Sequence, residues 1–264
     1  MARVIAIANE KGGAGKSTMA VNLAAEWGRA GKRVLLIDLD PQYNATEMIG
    51  SHPDEAPATL AEVLAEDTAV ADAIVTDVVG GVDLLAGSKR LADVEHTLVT
   101  QRSRELYLRR QIFDSGQIDA GGWDWVVLDC PPNLGDLAIN ALYVQPEVIT
   151  PVKMTDRNAW KGAASLLATI DECRVDCPDL AMNLIVPSNV QPDLLLYRSL
   201  TAELGKLGPP ISKSQIPRRV AFDNAGAIGR PLVLAEPSSE GAIAYRGLAA
   251  EISRMGKRAT RRAA

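Results

Sequence analysis

The sequence predicts an α/β chain: a doubly wound, mostly parallel sheet with helices on both faces. Three observations carry that reading. Short β-branched runs alternate with longer Ala- and Leu-rich amphipathic segments along the whole chain, the pattern of repeated strand–helix units. Several of those runs, such as Val34-Leu35-Leu36-Ile37, are apolar without interruption, as strands covered on both faces must be. The 264 residues are 47% hydrophobic and only 4% aromatic, so one large core of Ala, Val, Leu and Ile is available.

Strands are expected at Val4–Ala8, Val34–Leu39, Val82–Leu85, Trp125–Leu128, Val148–Val152, Leu184–Val186 and Ser214–Ile216. Helices are expected at Ser17–Arg29, Leu60–Ala65, Glu105–Phe113, Leu134–Leu142, Ala159–Glu172, Leu194–Leu204 and Ala242–Met255. Thr59-Leu60-Ala61-Glu62 reads as a capping box opening the second helix, and Gly28 and Gly31 bracket the end of the first. Ser51–Asp77 is rich in Ala, Asp and Glu and is the least predictable stretch. No repeat or linker divides the chain. Residues 1–250 are read as a single domain, and 251–264 as a helix end fraying into a basic tail.

The formal net charge is -5, so any contact with a polyanion must come from a local patch. Cys130, Cys173 and Cys177 have only His52 and His96 as possible companions. That disfavours a zinc site and suits reduced thiols. Glu10 and Lys11 interrupt the first apolar run, unlike a signal peptide, and no stretch reaches the ~20 apolar residues of a membrane span. A cytoplasmic protein is expected, with no membrane partner.

Chemistry enters at Asn9-Glu10-Lys11-Gly12-Gly13-Ala14-Gly15-Lys16-Ser17-Thr18. Its glycines permit tight turns that aim successive N–H groups inward, and the following helix adds its N-terminal partial charge. Lys16 is assigned to the β- and γ-phosphates, Ser17 to Mg²⁺ and Thr18 to the α-phosphate. A strand before the loop and a helix after it are the context such a loop requires. Glu10 stands where the usual phosphate loop has its first glycine, and Lys11 is an additional cation.

Two apolar strands end in acids. Val34–Leu39 runs into Asp38 and Asp40, which share a side by period two. Trp125–Leu128 runs into Asp129-Cys130-Pro131-Pro132. Asp129 suits the Mg²⁺ side, acting through a water because Mg²⁺ retains several. The Pro-Pro loop is placed to sense the γ-phosphate.

The loop Lys11-Gly12-Gly13-Ala14-Gly15-Lys16-Ser17-Thr18 resembles that of the deviant phosphate-loop ATPases, which include the ParA partition proteins and the MinD regulators. Asp40-Pro41-Gln42-Tyr43-Asn44-Ala45-Thr46 is closer to ParA. Ile216-Pro217-Arg218-Arg219-Val220 resembles the ParA segment that lies against adenine, and Gly241–Tyr245 the start of its last helix. The resemblance covers nearly the whole chain. It implies a Mg²⁺-dependent ATPase in which Lys11 reaches the partner subunit's phosphates and Asp40 positions the attacking water. Pro217 would line the base, and Pro187-Ser188-Asn189, which follows another strand, is placed to line it as well. It further implies an ATP-dependent homodimer, non-specific double-stranded DNA, a ParB-like activator supplying a basic residue, and a nucleoid-associated location. A cation at the lip of its own loop is expected to point outward, toward a second subunit.

The chain departs from that family at Lys153-Met154-Thr155-Asp156-Arg157-Asn158, where an acidic-aromatic run is usual. It departs again at Ser238-Ser239-Glu240, where some relatives carry DNA-contacting arginines. The remaining candidates for DNA are Lys206, Lys213, Arg218, Arg219, Arg254, Lys257 and Arg258. A MinD-like membrane function would need a bulky apolar helix face at the end, where Ser253–Ala264 offers only Met255 and alanines. A metal-cluster enzyme would need a second suitably placed cysteine beside Cys130.

Overall fold

The computed structural model describes residues 2–191 and 194–262, with backbone alone at 194, 220, 223 and 256–262. In chain order the elements are β1 (Arg3–Ile7), α1 (Lys16–Arg29), β2 (Val34–Asp38), α2 (Asn44–Met48), α3 (Leu60–Ala65), α4 (Val70–Ala73), β3 (Ile74–Val79), β4 (Val82–Leu85), α5 (Leu91–Leu98) and α6 (Gln117–Gly121). They continue as β5 (Trp125–Asp129), α7 (Asp136–Tyr143), β6 (Glu147–Lys153), α8 (Ala159–Cys173), β7 (Ala181–Ser188), α9 (Leu194–Lys206), α10 (Val220–Ala227), α11 (Leu232–Ala235) and α12 (Glu240–Arg262).

One sheet of seven strands runs in the order β3-β4-β2-β5-β1-β6-β7. Every neighbouring pair is parallel except β3–β4. Alternate residues of the central strands feed two cores. Ile5 and Ile7 of β1 join the layer containing α1 and α12, while Ala6 joins the opposite layer with α7 and α8. Both faces of the sheet are therefore covered, which explains the unbroken apolar runs. Because β1 lies between β5 and β6, the carboxyl ends of β1, β2 and β5 gather where the winding reverses, the usual place for a ligand.

The capping box forms as expected: the Thr59 N–H donates to Glu62 at 2.8 Å, and the Thr59 hydroxyl also donates to that carboxylate. Other expectations are corrected. The Ser51–Asp77 stretch contains α4 and most of β3, an edge strand whose irregular pairing with β4 follows Asp77 into positive φ. Ser214–Ile216 is not a strand. It is an extended loop held by single bridges, with Ile216 N–H donating to Pro187 and Val190 N–H to Ile216. Prolines at 209, 210 and 217 remove donors that a strand there would need. Glu105–Phe113 splits into a 3-10 turn and a π-helical turn, because the Leu108 N–H donates to the Asn140 side chain at 2.9 Å.

The C-terminal segment continues as helix to Arg262 rather than fraying from residue 251. Its docked part is pinned beside α1. The Arg3 guanidinium donates to the carbonyls of Ile252 and Ser253 at 3.1 and 3.3 Å, pairs with Glu147 and lies 4.3 Å over the Trp125 ring. Trp125 stacks on Trp27 at 4.2 Å, and the Trp27 indole donates to Ser253 Oγ at 3.1 Å. α12 therefore enters the functional region at a fixed height.

Candidate functional site

The loop between β1 and α1 has Gly13 and Gly15 at φ 68 and 91, conformations that favour glycine. A Cβ at Gly12, Gly13 or Gly15 would meet no heavy atom within 4 Å, so the loop rims open space rather than packing against the chain. Two bonds brace it from behind. The Asn9 side chain donates to the Pro151 carbonyl at 2.6 Å and accepts from the Lys11 N–H at 2.9 Å. The buried Ser188 hydroxyl donates to the Ala14 carbonyl at 2.8 Å. Neither role was read from the sequence. Asn9 stands in the quoted motif, and Ser188 in a segment assigned only to the base.

Lys16 is 6% exposed. Burial lowers its pKa, and Asp129, Cys130 and Asp40 pull the other way. Asp129, at the end of β5, is fully buried, and neither of its oxygens accepts a hydrogen bond. Burial first and Asp38 second push its carboxyl well above the usual range. The Ser17 hydroxyl and Lys16 oppose that rise, the hydroxyl lying beside the carboxylate without closing a well-aligned bond. An orphaned carboxylate beside a serine hydroxyl is a donor set that a hard divalent cation satisfies. Asp129 and Ser17 therefore fit Mg²⁺.

Asp38 and Asp40, expected to act from one side of β2, have separate roles. Asp38 is sealed and accepts from Asp40 N–H, Thr46 N–H and the Thr46 hydroxyl at 3.1, 2.9 and 2.8 Å. Thr46 in turn accepts from Gly87 N–H at 3.0 Å. Burial raises Asp38 to about 6 despite those donors. It is thus a strut tying β2 to α2 and to the end of β4. Asp40 lies past the strand. One of its oxygens accepts from Gln42 N–H at 2.9 Å, and the other accepts nothing among the described residues. Burial raises its pKa too, against the pull of Lys16.

Lys11 does not point freely outward. Its ammonium lies 3.0 Å from Asp156 of its own chain, both side chains 38% exposed, and its stem runs against Gly162. A Cβ at that glycine would sit 2.7 Å from Lys11 Cγ. The Asn158 N–H first, and Lys11 second, hold the Asp156 carboxyl below the usual carboxylate range. The departing segment Lys153–Asn158 thus supplies the acid that receives the second lysine, which is why the ammonium folds back.

Beside the loop lies a pocket of about 880 Å³ shared by Gly13, Gly15, Thr18, Asn189, Pro217 and Tyr245. Asn189 and Pro217, the two residues expected beside a base, thus share one pocket with the loop. The DNA candidates separate. Arg218 and Arg219 line this same pocket, and Arg219 pairs with Glu240. Lys206 is exposed and paired with Glu203 at 2.7 Å. Lys213 and Arg254 share a groove of about 420 Å³ on the α12 flank. The side chains of Lys257 and Arg258 lie outside the described residues. Cys130, Cys173 and Cys177 are buried and free. No helix among the described residues is long and apolar enough to cross a membrane.

A family model described as an AAA domain matches residues 2–182. The sporulation initiation inhibitor protein Soj of Bacillus subtilis is 35% identical, over 97% of this chain and 100% of that protein. The chromosome partitioning protein ParA of Caulobacter vibrioides is 34% identical, over 95% and 93%. Among solved structures, a Mycobacterium smegmatis protein described as cobyrinic acid a,c-diamide synthase with bound ATP analog and magnesium is 33% identical. It superposes with a TM-score of 0.82 over 97% of this chain and 96% of that one.

Proposed function

The chain belongs to the ParA family of P-loop ATPases, and from that premise we propose that ATP joins two copies into a dimer that holds double-stranded DNA without sequence preference. A ParB-like partner then stimulates hydrolysis and releases the dimer. The work done is segregation of DNA or positioning of another cargo, in the cytoplasm and on the nucleoid. The observation that carries this reading is the pair of lysines on one loop. Lys16 is enclosed with Asp129 and Asp40, while Lys11 sits half-exposed at the rim.

In this reading the loop N–H groups and Lys16 hold the phosphates, and Ser17 and Asp129 hold Mg²⁺ when it is bound. Mg²⁺ supplies charge neutralisation on the phosphate oxygens. The open oxygen of Asp40 accepts a hydrogen bond from the attacking water and orients it, so the rate gain comes from positioning and electrostatics. Lys11 must leave Asp156 to reach a partner's phosphate. Exposed ion pairs contribute only about 0–1 kcal/mol, so a dianionic phosphate is the stronger attraction.

A second reading, membrane association of the MinD kind, would use the end of α12, which remains helical to Arg262 but has only Met255 and alanines as apolar residues. One experiment addresses both. The protein is titrated onto a long random-sequence duplex with ATP, with ADP and without nucleotide, at two salt concentrations, with anionic vesicles as a parallel arm. Binding to duplex that needs ATP and fades with salt is the expected result, because non-specific binding rests on phosphate contacts. Failure to bind duplex in any nucleotide state, with ATP-dependent binding to vesicles, would overturn the DNA reading.

A further inference from the structure

Among the polar groups that line the pocket beside the phosphate loop, a tyrosine on α12 has no task so far. Tyr245, on the second turn of α12, lines that pocket with Gly15 and Thr18. Its ring is only 2% exposed and packs edge-on against Phe222, with centroids 5.7 Å apart at 83°. Its hydroxyl has no hydrogen-bond partner among the described residues. Tyr245 is one of the residues that line the pocket, which places its phenol beside any ligand held there. A hydroxyl that faces this pocket is met by water in the free protein and is released to a ligand that displaces the water, whereas phenylalanine would fill the same volume and offer no such bond. A tyrosine at this position is accounted for if its partner arrives with the ligand.

Resting on the reading of this pocket as the nucleotide's, we propose that Tyr245 is a nucleotide-binding residue whose hydroxyl bonds the segment of ATP between base and β-phosphate, at the ribose or the α-phosphate. The placement follows from what shares the pocket. Gly15 and Thr18 mark the phosphate side, and Asn189 and Pro217 the base side. Burial pushes the phenol pKa up, so the hydroxyl keeps its proton and can donate to a phosphate oxygen or exchange bonds with a sugar hydroxyl. The group is also preorganised. Two turns on, α12 is fixed by Arg3 and Trp27. Phe222 is held close against Gly241, where a Cβ would approach its ring to 2.7 Å.

Tyr245→Phe keeps the ring and removes only the oxygen. Its free form should melt at or slightly above the wild-type temperature, because no internal hydrogen bond is lost. Calorimetric titration should show about five- to tenfold weaker binding of ATP and of ADP alike, the worth of one hydrogen bond. Repeating the titration with 2′-deoxy- and 3′-deoxy-ATP locates the partner. If the difference between wild type and variant vanishes with one of them, the partner is that sugar hydroxyl. If it persists with both, the partner is the α-phosphate. A variant that binds ATP and ADP with the wild-type dissociation constant overturns the proposal. A lowered melting temperature of the free variant also overturns it, since Tyr245 would then be acting structurally. A wild-type protein that binds no nucleotide would instead remove the ATPase reading of the pocket.

Discussion

Two sets of charges illustrate opposite uses of the same residue types. At the carboxyl ends of β1, β2 and β5, Lys16, Asp38, Asp40 and Asp129 are all buried, and each has its own surroundings and role. Around the docked part of α12, Lys213 and Arg254 are exposed and share one groove. Buried charges must each be matched by a specific partner or ligand. Exposed ones act as a sum that salt screens. Single substitutions should therefore be decisive in the first region and gradual in the second.

Lys16→Ala gives the largest expected effect. It removes the one cation inside the cluster, so ATP affinity should fall about a hundredfold or more by titration calorimetry, at the upper end of a charge-assisted bond. A loss under threefold would break the contrast at its strongest point. Next, Asp40→Ala should leave ATP binding intact and slow hydrolysis at least about tenfold. The protein should then stay on DNA in a pull-down with ATP. A variant turning over at the wild-type rate would take the water-positioning role from Asp40.

Thr46→Val tests the strut. It strips a donor from the sealed Asp38 and the acceptor from Gly87 N–H. About 1–3 kcal/mol of stability should go, seen as a melting point lower by several degrees. An unchanged melting point would show that Asp38 does not depend on this bond. Arg254→Ala should do least. DNA affinity should drop only two- to threefold, with the salt dependence reduced by about one phosphate contact. Loss of all binding from this one change would mean the surface works through a single site rather than a sum.

Much of the fold was legible because buried parallel strands admit few residue types. Val82–Leu85 and Leu60–Ala65 were placed to the residue, the latter by its capping box. β3 was missed although Ile74–Val79 is β-branched and ends in Gly80-Gly81. Its acidic neighbours hid a run whose pairing is tertiary. Ser214–Ile216 failed for the converse reason: its composition suits a strand, but proline and the cap from Glu251, which accepts from Ser212 Oγ at 2.7 Å, fix it as a loop.

At the site, the loop and the acids were legible because their spacing along single strands and turns is local. Contacts between distant segments were not. Ser188 on Ala14 and Asp156 on Lys11 each join residues whose pairing depends on strand order, and Thr46 on Asp38 closes a loop whose path the sequence does not announce. Arg218 and Arg219, offered as candidates for DNA, line the pocket beside the loop, a placement that likewise depends on strand order.

The most direct measurement is sedimentation of Lys11→Ala with ATP, beside the wild type and Asp156→Ala. The account predicts that the wild type and Asp156→Ala dimerise on ATP. Lys11→Ala should bind ATP with near-wild-type affinity yet remain monomeric. A Lys11→Ala protein that dimerises on ATP as the wild type does would contradict the role given to the second lysine, and with it the basis of the proposed function.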